Sequence, residues 1–279
     1  MMKPLTFAAL FLAASSAFAQ SPGQSWALLI GVAKFQNLPH DLWLQYPDAD
    51  AKTLAKFLES ARGGSITSDH LDLITDEQAT TANLRNALST FLKKPGKEDT
   101  VYIFVASHGL ADSRGAYILT YDSDTQNLGG TALPMAELHS IVEEEATRAG
   151  HVVFLADVCH ASSTQGQPSE SLNGALTALS ETQGEMLGLM AARPKEVSFE
   201  GPEFGGGHGA FTWAVLQGLS GDADENKDGF VSAGELIDFV SDDVSRLTKR
   251  KQHARDFGNM DGAAKLADLS KPGIELPKS

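Results

Sequence analysis

Two short, apolar segments rich in β-branched residues constrain the fold of this chain more than any other feature. They are residues 100–106, TVYIFVA, and residues 151–157, HVVFLAD. Each is long enough for one strand, and runs without polar alternation are typical of strands buried on both faces of a parallel sheet. Helical patterns lie between such runs, which predicts an α/β fold with a mainly parallel sheet and helices on both faces.

The other apolar runs extend this pattern along the chain. We expect strands over 100–107 and 151–157 for the two diagnostic segments and further strands at 25–33, 71–75 and 186–191, with a short extra strand at 117–121. Expected helices span 48–60, 80–94, 134–147, 210–219 and 233–247. The polar segment 161–184 is predicted to be a long loop, and the pattern after Arg255 favours no element. With 279 residues and 42% hydrophobic residues, the chain can bury one α/β core.

A histidine and a cysteine come just after the two diagnostic strands. Ser107, His108 and Gly109 follow the first, and Cys159 follows the second. The carboxyl ends of parallel strands meet at one edge of a sheet, where ligands bind in open α/β folds. Because a nearby imidazole activates a thiol as a nucleophile, this pairing indicates cysteine chemistry.

Two neighbouring residues fit the same chemistry. The backbone N–H groups of Gly109 and Cys159 are candidates for stabilising a developing oxyanion. Asp157 lies two residues before Cys159, so that strand periodicity places both on one side of the sheet. A carboxylate there would receive a cationic substrate side chain, although a loop-capping role for Asp157 is equally compatible with the sequence.

The amino terminus is typical of an export signal. Residues 1–20 combine Lys3, an apolar stretch too short to span a bilayer, and a small-x-small cleavage site ending at Ala19. We therefore expect residues 1–19 to be removed and the protein to be periplasmic or secreted. Cys159 is the only cysteine, so it has no disulfide partner within the chain. It is either reactive or a buried, inert apolar residue.

Taken together, these motifs resemble the caspase-like cysteine peptidases, in particular the bacterial metacaspase-type branch of family C14. WALLIGVAKF at 26–35, LQYPDADAKTL at 44–54 and LITDEQATTANLRNAL at 73–88 resemble its first strands and helices. VASHG and DVCHAS resemble its histidine and cysteine motifs, about 50 residues apart as in caspase-type sites. AARPKEVSFE and GHGAFTWAVLQGL resemble its C-terminal half.

The resemblance implies a caspase-like three-layer sandwich over residues 25–270 and a role for each matching residue. His108 would be the general base or ion-pair partner, Cys159 the nucleophile, and Gly109 with Cys159 the oxyanion hole. Asp157 and Asp50 would line the pocket for the residue before the scissile bond (P1), with Asp48 close to Asp50 in sequence. The chain lacks the caspase Gln-Ala-Cys-x-Gly signature, which favours cleavage after arginine or lysine rather than aspartate.

Both motifs depart from the family pattern. Ala161 and Ser162 stand where Ser-Gly is usual, and Ser107 stands where glycine is common. Both changes replace one small residue by another, so we expect activity to be retained.

A 12-residue segment, DENKDGFVSAGE at 224–235, matches an EF-hand calcium loop. Asp224, Asn226, Asp228, Phe230, Ser232 and Glu235 occupy the six ligand positions, with the Phe230 carbonyl as the backbone ligand. The flanking helical patterns complete a helix–loop–helix over 211–247, which predicts bound Ca²⁺. The alternative is a solvated acidic turn that caps the following helix. The remaining histidines show no ligand spacing, and His208 in GGGHGAF is interpreted as part of a flexible entry to a helix.

The charge composition limits the classes of molecule that the protein is expected to bind. The formal net charge of −14 disfavours binding to nucleic acid or to an anionic membrane, and is compatible with attraction of basic protein or peptide substrates. No mature segment is apolar enough for a stable membrane span, and we expect a monomer. Two functions from different classes therefore remain: a cysteine endopeptidase with a His108–Cys159 dyad, and a calcium-binding pseudo-enzyme that serves as an interaction domain.

Overall fold

The structure, a computed structural model, describes residues 23–160, 185–193 and 196–277, with Cys159 and His160 described through their backbone only. The predicted export signal and the predicted loop at 161–184 lie outside these residues, so both stay predictions. None of the described helices is long and apolar enough to cross a membrane.

Strands and helices alternate along the first two thirds of the chain. The strands are β1 Ser25–Gly31, β2 Leu71–Thr75, β3 Thr100–Asp112, β4 Gly115–Ile118, β5 Leu133–Pro134, β6 His151–His160, β7 Met186–Met190, β8 Glu200–Gly201, β9 His208–Gly209, β10 Phe230–Ser232, β11 Arg255–Gly258 and β12 Lys265–Asp268. The helices are α1 Pro47–Glu59, α2 Thr81–Asn86, α3 Leu128–Thr131, α4 Met135–Arg148, α5 Ala210–Gln217 and α6 Ala233–Leu247.

The central sheet has the strand order β11-β7-β6-β3-β1-β2. The five strands from β7 to β2 pair in parallel, which confirms the predicted mainly parallel α/β sheet. β11 adds an antiparallel strand at the β7 edge, where the sequence pattern had favoured no element. β4 pairs antiparallel with the end of β3, and β5 follows β4. β8–β9 and β10–β12 form two small separate ladders.

Two apolar cores lie on opposite faces of the sheet, because successive side chains of a strand point to opposite sides. In β3, Ile103 belongs to the core beneath α2 and α4, whereas Phe104 belongs to the core beneath α1, α5 and α6. The same alternation occurs in β6, with Phe154 on the first face and Leu155 on the second. The result is the expected three-layer arrangement of helices, sheet and helices.

The structure corrects several predicted boundaries. β3 and β6 run beyond the predicted ends at 107 and 157. His108 and Cys159 therefore lie within these strands, near their carboxyl ends, rather than after them. β3 continues because β4 folds back on it, which keeps its backbone groups paired past His108. The helix predicted over 80–94 is α2 followed by a π-helical turn at Ala87–Phe91, and the extra strand is β4 at Gly115–Ile118.

Candidate functional site

The register between β3 and β6 brings the two predicted catalytic residues to neighbouring positions. His108 pairs with Cys159, and two residues earlier Ala106 pairs with Asp157. Paired residues of parallel strands lie about 4.8 Å apart across the ladder. The carboxyl ends of these two strands therefore place the histidine and the cysteine side by side at one edge of the sheet.

His108 has a defined tautomer in this structure. Its Nε2 lies 2.7 Å from the carbonyl oxygen of Leu42. Because a carbonyl oxygen only accepts, Nε2 must carry the proton and donate it. Among the described residues, the buried Nδ1 of His108 has no hydrogen-bond partner. In the neutral ring, Nδ1 is consequently the basic nitrogen.

The surroundings of His108 keep its ring neutral. Phe35 stacks against it with ring centroids 5.3 Å apart. Burial lowers the pKa of His108 below its usual range, and the hydrogen bond with Leu42 opposes that shift without cancelling it. A neutral imidazole at neutral pH is able to accept a proton.

Asp157 is buried, and two hydroxyl groups satisfy its carboxylate. Ser198 Oγ donates to Oδ1 at 2.7 Å, and Thr212 Oγ1 donates to Oδ2 at 2.9 Å. Burial raises the pKa of Asp157, and both hydroxyl bonds work in the opposite direction. Ser198 and Thr212 carry no charge, so Asp157 is a buried carboxyl group that lacks a cationic partner among the described residues.

The structure places Asp50, rather than Asp48, beside Asp157. Asp48 forms an ion pair with Lys52 at 2.7 Å on the outer face of α1. Asp50 is buried, and its carboxylate accepts from Nδ1 of His208 at 2.6 Å and from the backbone N–H of Gly209 at 3.1 Å. Burial raises the pKa of Asp50 to about 7; the bond with His208 lowers it, and the charge of Asp157 raises it further.

A third acid, Glu200, joins this group and was missed in the sequence analysis. Its carboxylate accepts from the backbone N–H groups of Gln45 at 2.9 Å and Tyr46 at 3.2 Å. Burial is the main reason that the pKa of Glu200 is raised, and the charge of Asp157 adds to it. Glu200 is far from both motifs in sequence, so nothing but the three-dimensional fold identified it.

The three acids line one small pocket beside the ends of β3 and β6, which we call the acid pocket. Gly209 forms part of its wall: a Cβ atom there would lie 2.4 Å from Oδ2 of Asp157 and 3.2 Å from Oδ2 of Asp50. Glycine thus lets the two carboxylates approach the same stretch of backbone. The pocket is lined by Leu44, Pro47, Asp50, Ala106, Asp157, Ser198, Phe199, Glu200 and Gly209.

The interpretation of His208 as part of a flexible helix entry is wrong. The residue is buried in β9, pairs with Asp50, and stacks on Trp213 with ring centroids 5.6 Å apart. An aromatic neighbour and a buried carboxylate together hold the imidazole in place. His208 therefore supports the acid pocket from behind through its bond with Asp50, without lining the pocket itself.

Gly109, the other predicted oxyanion residue, is buried in β3. It lies opposite Ile118 of β4 and His160 of β6 in the ladder. Its position is one residue beyond His108, adjacent to the backbone of Cys159.

The segment 224–235 forms a tight loop between α5 and α6. The Asp224 carboxylate accepts from the backbone N–H groups of Asp228 at 3.2 Å and Gly229 at 3.1 Å, and Asn226 Oδ1 accepts from Asp228 at 2.8 Å. Gly229 adopts φ 86°, a conformation that glycine tolerates without strain. The loop leads into β10, which pairs with β12.

Glu235 closes this loop from the first turn of α6. Its carboxylate accepts from the backbone N–H of Ser232 at 3.0 Å, while the Ser232 hydroxyl caps the helix by accepting from the Glu235 N–H. The Ser232 N–H also helps to hold the pKa of Glu235 below its usual range. Glu235 is therefore ionised at neutral pH.

The donor set of the loop fits a calcium ion. Three carboxylates, an amide oxygen, a hydroxyl and a backbone carbonyl are the hard oxygen ligands that Ca²⁺ takes in EF-hand loops. Within the described ranges, no three His, Cys, Asp or Glu side chains converge as a metal-ligand group. The three acids of the loop, Asp224, Asp228 and Glu235, therefore do not form such a group in this structure.

Comparisons with known proteins agree with one another. Residues 24–257 match the family model of the caspase domain. A Desulfuromonadales protein described as a probable protease is 27% identical over 91% of this chain, and this chain spans 35% of the length of that relative. The fold is similar to the crystal structure of protein GSU0716 from Geobacter sulfurreducens, with a TM-score of 0.58 and 17% identity over 90% of this chain and 100% of that one.

Proposed function

This chain belongs to the caspase-domain peptidase family, and we propose that it is a cysteine endopeptidase which cleaves peptide bonds after arginine or lysine. Family membership and the protease-described relative support peptidase activity in general. The dyad and the P1 preference are our proposals. They are supported by the β3–β6 register and by the acid pocket.

The proposed chemistry begins with proton transfer from the Cys159 thiol to Nδ1 of His108. Nδ1 is the unprotonated ring nitrogen because Nε2 donates to Leu42. The sulfur then attacks the scissile carbonyl carbon, and the backbone N–H groups of Gly109 and Cys159 stabilise the oxyanion. The leaving amine takes the proton from His108 and departs, leaving a thioester, which water hydrolyses with His108 again acting as base.

The acid pocket supports a basic P1 residue. Asp50, Asp157 and Glu200 each have a raised pKa because they are buried together. A guanidinium or ammonium group entering the pocket favours the ionised carboxylates and forms charge-assisted hydrogen bonds with them. An acidic P1 side chain would add a fourth carboxylate beside the buried Asp50 and Asp157 and the partly buried Glu200, which is electrostatically unfavourable.

We further propose that the loop at 224–235 holds Ca²⁺ through Asp224, Asn226, Asp228, Phe230, Ser232 and Glu235. The bound ion supplies positive charge that offsets the repulsion among the loop carboxylates and stabilises the folded state by mass action. The chain's own residues shape the loop without it, through the hydrogen bonds of Asp224 and the helix cap formed by Ser232.

The register of His108 with Cys159 next to the acid pocket carries this proposal. It is tested by cleavage of peptides that differ at P1 alone. Arginine and lysine peptides should be cleaved and aspartate peptides should not, and Asp157→Asn should weaken the preference strongly. An enzyme that prefers aspartate at P1 would refute the assignment of the pocket.

The calcium-binding pseudo-enzyme remains the second candidate, supported by the EF-hand loop alone. It predicts calcium binding with no hydrolysis of any peptide. The buried Nδ1 of His108 favours the peptidase, because no hydrogen-bond partner within the described part of the chain occupies it and it remains available as a base.

A further inference from the structure

Gln252 is a fully buried polar residue in the segment between α6 and β11. Its side-chain amide makes three hydrogen bonds. Nε2 donates to the carbonyl oxygen of Ala191 at 2.8 Å and to Ser198 Oγ at 3.1 Å. Oε1 accepts from the backbone N–H of Phe199 at 2.8 Å. Gln252 thus ties the end of β7 to the segment that forms one wall of the acid pocket.

The orientation of this amide is fixed by its two backbone partners. The Phe199 N–H can only donate, so it must face the amide oxygen. The Ala191 carbonyl can only accept, so it must face the amide nitrogen. If the amide were flipped, its NH2 group would face the Phe199 N–H and its oxygen would face the Ala191 carbonyl. Only the orientation described here satisfies both contacts.

This orientation determines where the hydroxyl proton of Ser198 points. The Ser198 oxygen accepts from Gln252 Nε2, which has no lone pair to receive a proton in return. The hydroxyl proton is instead donated to Oδ1 of Asp157 at 2.7 Å. The donor chain therefore runs in one direction, from Gln252 through Ser198 to Asp157.

We propose that Gln252 is a positioning residue for substrate specificity, which acts through Ser198 to keep Asp157 ionised for a basic P1 side chain. This inference rests on the proposed function of the acid pocket. Gln252 itself does not line that pocket. Its role is to supply a donor where an acceptor would draw the Ser198 proton away from Asp157.

The substitution Gln252→Glu tests this directional chain. Glutamate keeps the size of the side chain and an oxygen for the Phe199 N–H, but it replaces the donor facing Ser198 by an acceptor. The Ser198 proton then has a second carboxylate to bond, and Asp157 loses its donor. Since that bond lowers the pKa of Asp157, its loss raises this pKa and disfavours the ionised form that a cationic side chain needs.

The experiment measures binding of two peptides to the protein carrying Cys159→Ala, so that no cleavage occurs. One peptide has arginine at P1 and the other has citrulline, which replaces the guanidinium by a neutral urea group of the same shape. Gln252→Glu should weaken arginine-peptide binding by about tenfold, the effect of losing one hydrogen bond to a charged group. Binding of the citrulline peptide should change by less than about threefold, because that peptide offers no cation.

Two further variants keep the test decisive. Ser198→Ala removes the same bond from the other side and should reduce arginine binding similarly. Adding Gln252→Glu to Ser198→Ala should then cause little further loss, because coupled residues are not additive. Gln126→Glu, at an exposed position on the loop before α3, adds the same charge and should leave both affinities unchanged.

The failures of the two proposals are distinguishable. Equal binding of arginine and citrulline peptides before any Gln252 change would refute the acid pocket itself. Clear arginine preference that survives Gln252→Glu and Ser198→Ala would refute the role of Gln252 alone. Equal losses for both peptides, or additive losses in the double variant, would show that Gln252 merely supports the fold. If Gln252→Glu does not fold, Ser198→Ala decides whether Asp157 depends on this donor.

Discussion

The carboxylate of Asp50, which lines the acid pocket, lies 2.6 Å from Nδ1 of His208. The two residues are 158 positions apart in sequence, and both are buried. The imidazole and the Gly209 N–H give the carboxylate two hydrogen bonds, yet burial still raises its pKa to about 7. Asp50 therefore changes charge within the pH range in which the enzyme is expected to work.

The first prediction is a pH-dependent P1 preference. Below pH 7 Asp50 is protonated and forms no charge-assisted bond, so KM for arginine substrates should fall as the pH rises through about 7. Asp50→Asn should raise KM for arginine peptides by about tenfold or more and flatten this pH profile, as expected for the loss of one charged hydrogen bond. A parallel profile in wild type and Asp50→Asn would contradict the assignment.

The same raised pKa has a consequence for stability. A carboxyl group whose pKa rises on folding contributes stability that is fully present below its unfolded value near 3.8. That contribution is lost as the pH rises through about 7. The melting temperature of Asp50→Asn should accordingly depend less on pH between these values than that of wild type.

The second prediction concerns Gly209. Its φ of −66° is accessible to alanine, so Gly209→Ala introduces no backbone strain. The added methyl group would lie 2.4 Å from the Asp157 carboxylate and must displace it. We expect a loss of at least about tenfold in kcat/KM for arginine peptides, the effect of one misplaced charged contact.

Gly262→Ala is the matched control for that experiment. A Cβ at Gly262 would have its nearest neighbour at 3.8 Å, and the residue is exposed far from the pocket-lining segments in sequence. Its kinetics should equal those of wild type. If Gly209→Ala behaved like this control, the close approach of the acids at Gly209 would not matter for substrate binding.

The third prediction concerns calcium. Glu235→Gln removes the bidentate carboxylate of the loop but keeps the helix cap, because glutamine also serves at this capping position. Stability without calcium should change little, whereas the calcium-dependent rise in melting temperature should largely disappear. Melting curves with calcium and with chelator measure this directly.

Glu225→Gln provides the control for charge. Glu225 is an exposed acid inside the same loop that is not among the six predicted ligands. It should keep most of the calcium response. A wild-type melting curve that is indifferent to both calcium and chelator would show that the loop is a capped acidic turn instead. We expect calcium to affect stability more than catalysis.

The fourth prediction concerns self-processing. Caspase-like peptidases are often cut after the nucleophile, but this chain has no lysine or arginine between Arg148 and Arg193. Arg193 is followed by Pro194, whose nitrogen lacks a proton and whose φ is fixed, which makes it a poor scissile position. An enzyme specific for basic P1 residues should therefore show no self-made cut between Cys159 and Met186. Intact-mass measurement decides, and a stable cut there that disappears in Cys159→Ala would contradict the prediction.

Sequence patterns predicted the parallel sheet well because its central strands are continuous apolar runs. They placed His108 and Cys159 one or two residues beyond their strands, because polar residues at these positions are typical of loops. In the structure, pairing with β4 and β6 extends β3 past His108. Local pattern also missed β11, a strand whose first two residues, Arg255 and Asp256, are exposed and charged.

The acid pocket shows more clearly what a single sequence leaves out. Asp157 was identified because it shares a short motif with Cys159. Glu200 and His208 have no such neighbour, and their roles arise from contacts with residues more than 150 positions away. Gln252 is a further case, because a lone glutamine has no sequence signature. Its role is visible only from its two backbone partners in the fold, one a donor and the other an acceptor.

The central claim is that Cys159 is a nucleophile activated by His108 beside a pocket for basic side chains. Its most direct test is covalent labelling with a thiol-directed peptidyl-arginine probe, followed by mass mapping. We predict one label on Cys159 of the wild type, labelling slowed by at least about a hundredfold in His108→Ala, as expected for loss of an activating base, and no label in Cys159→Ala. Equal labelling by a peptidyl-aspartate probe, or unchanged labelling in His108→Ala, would contradict the account.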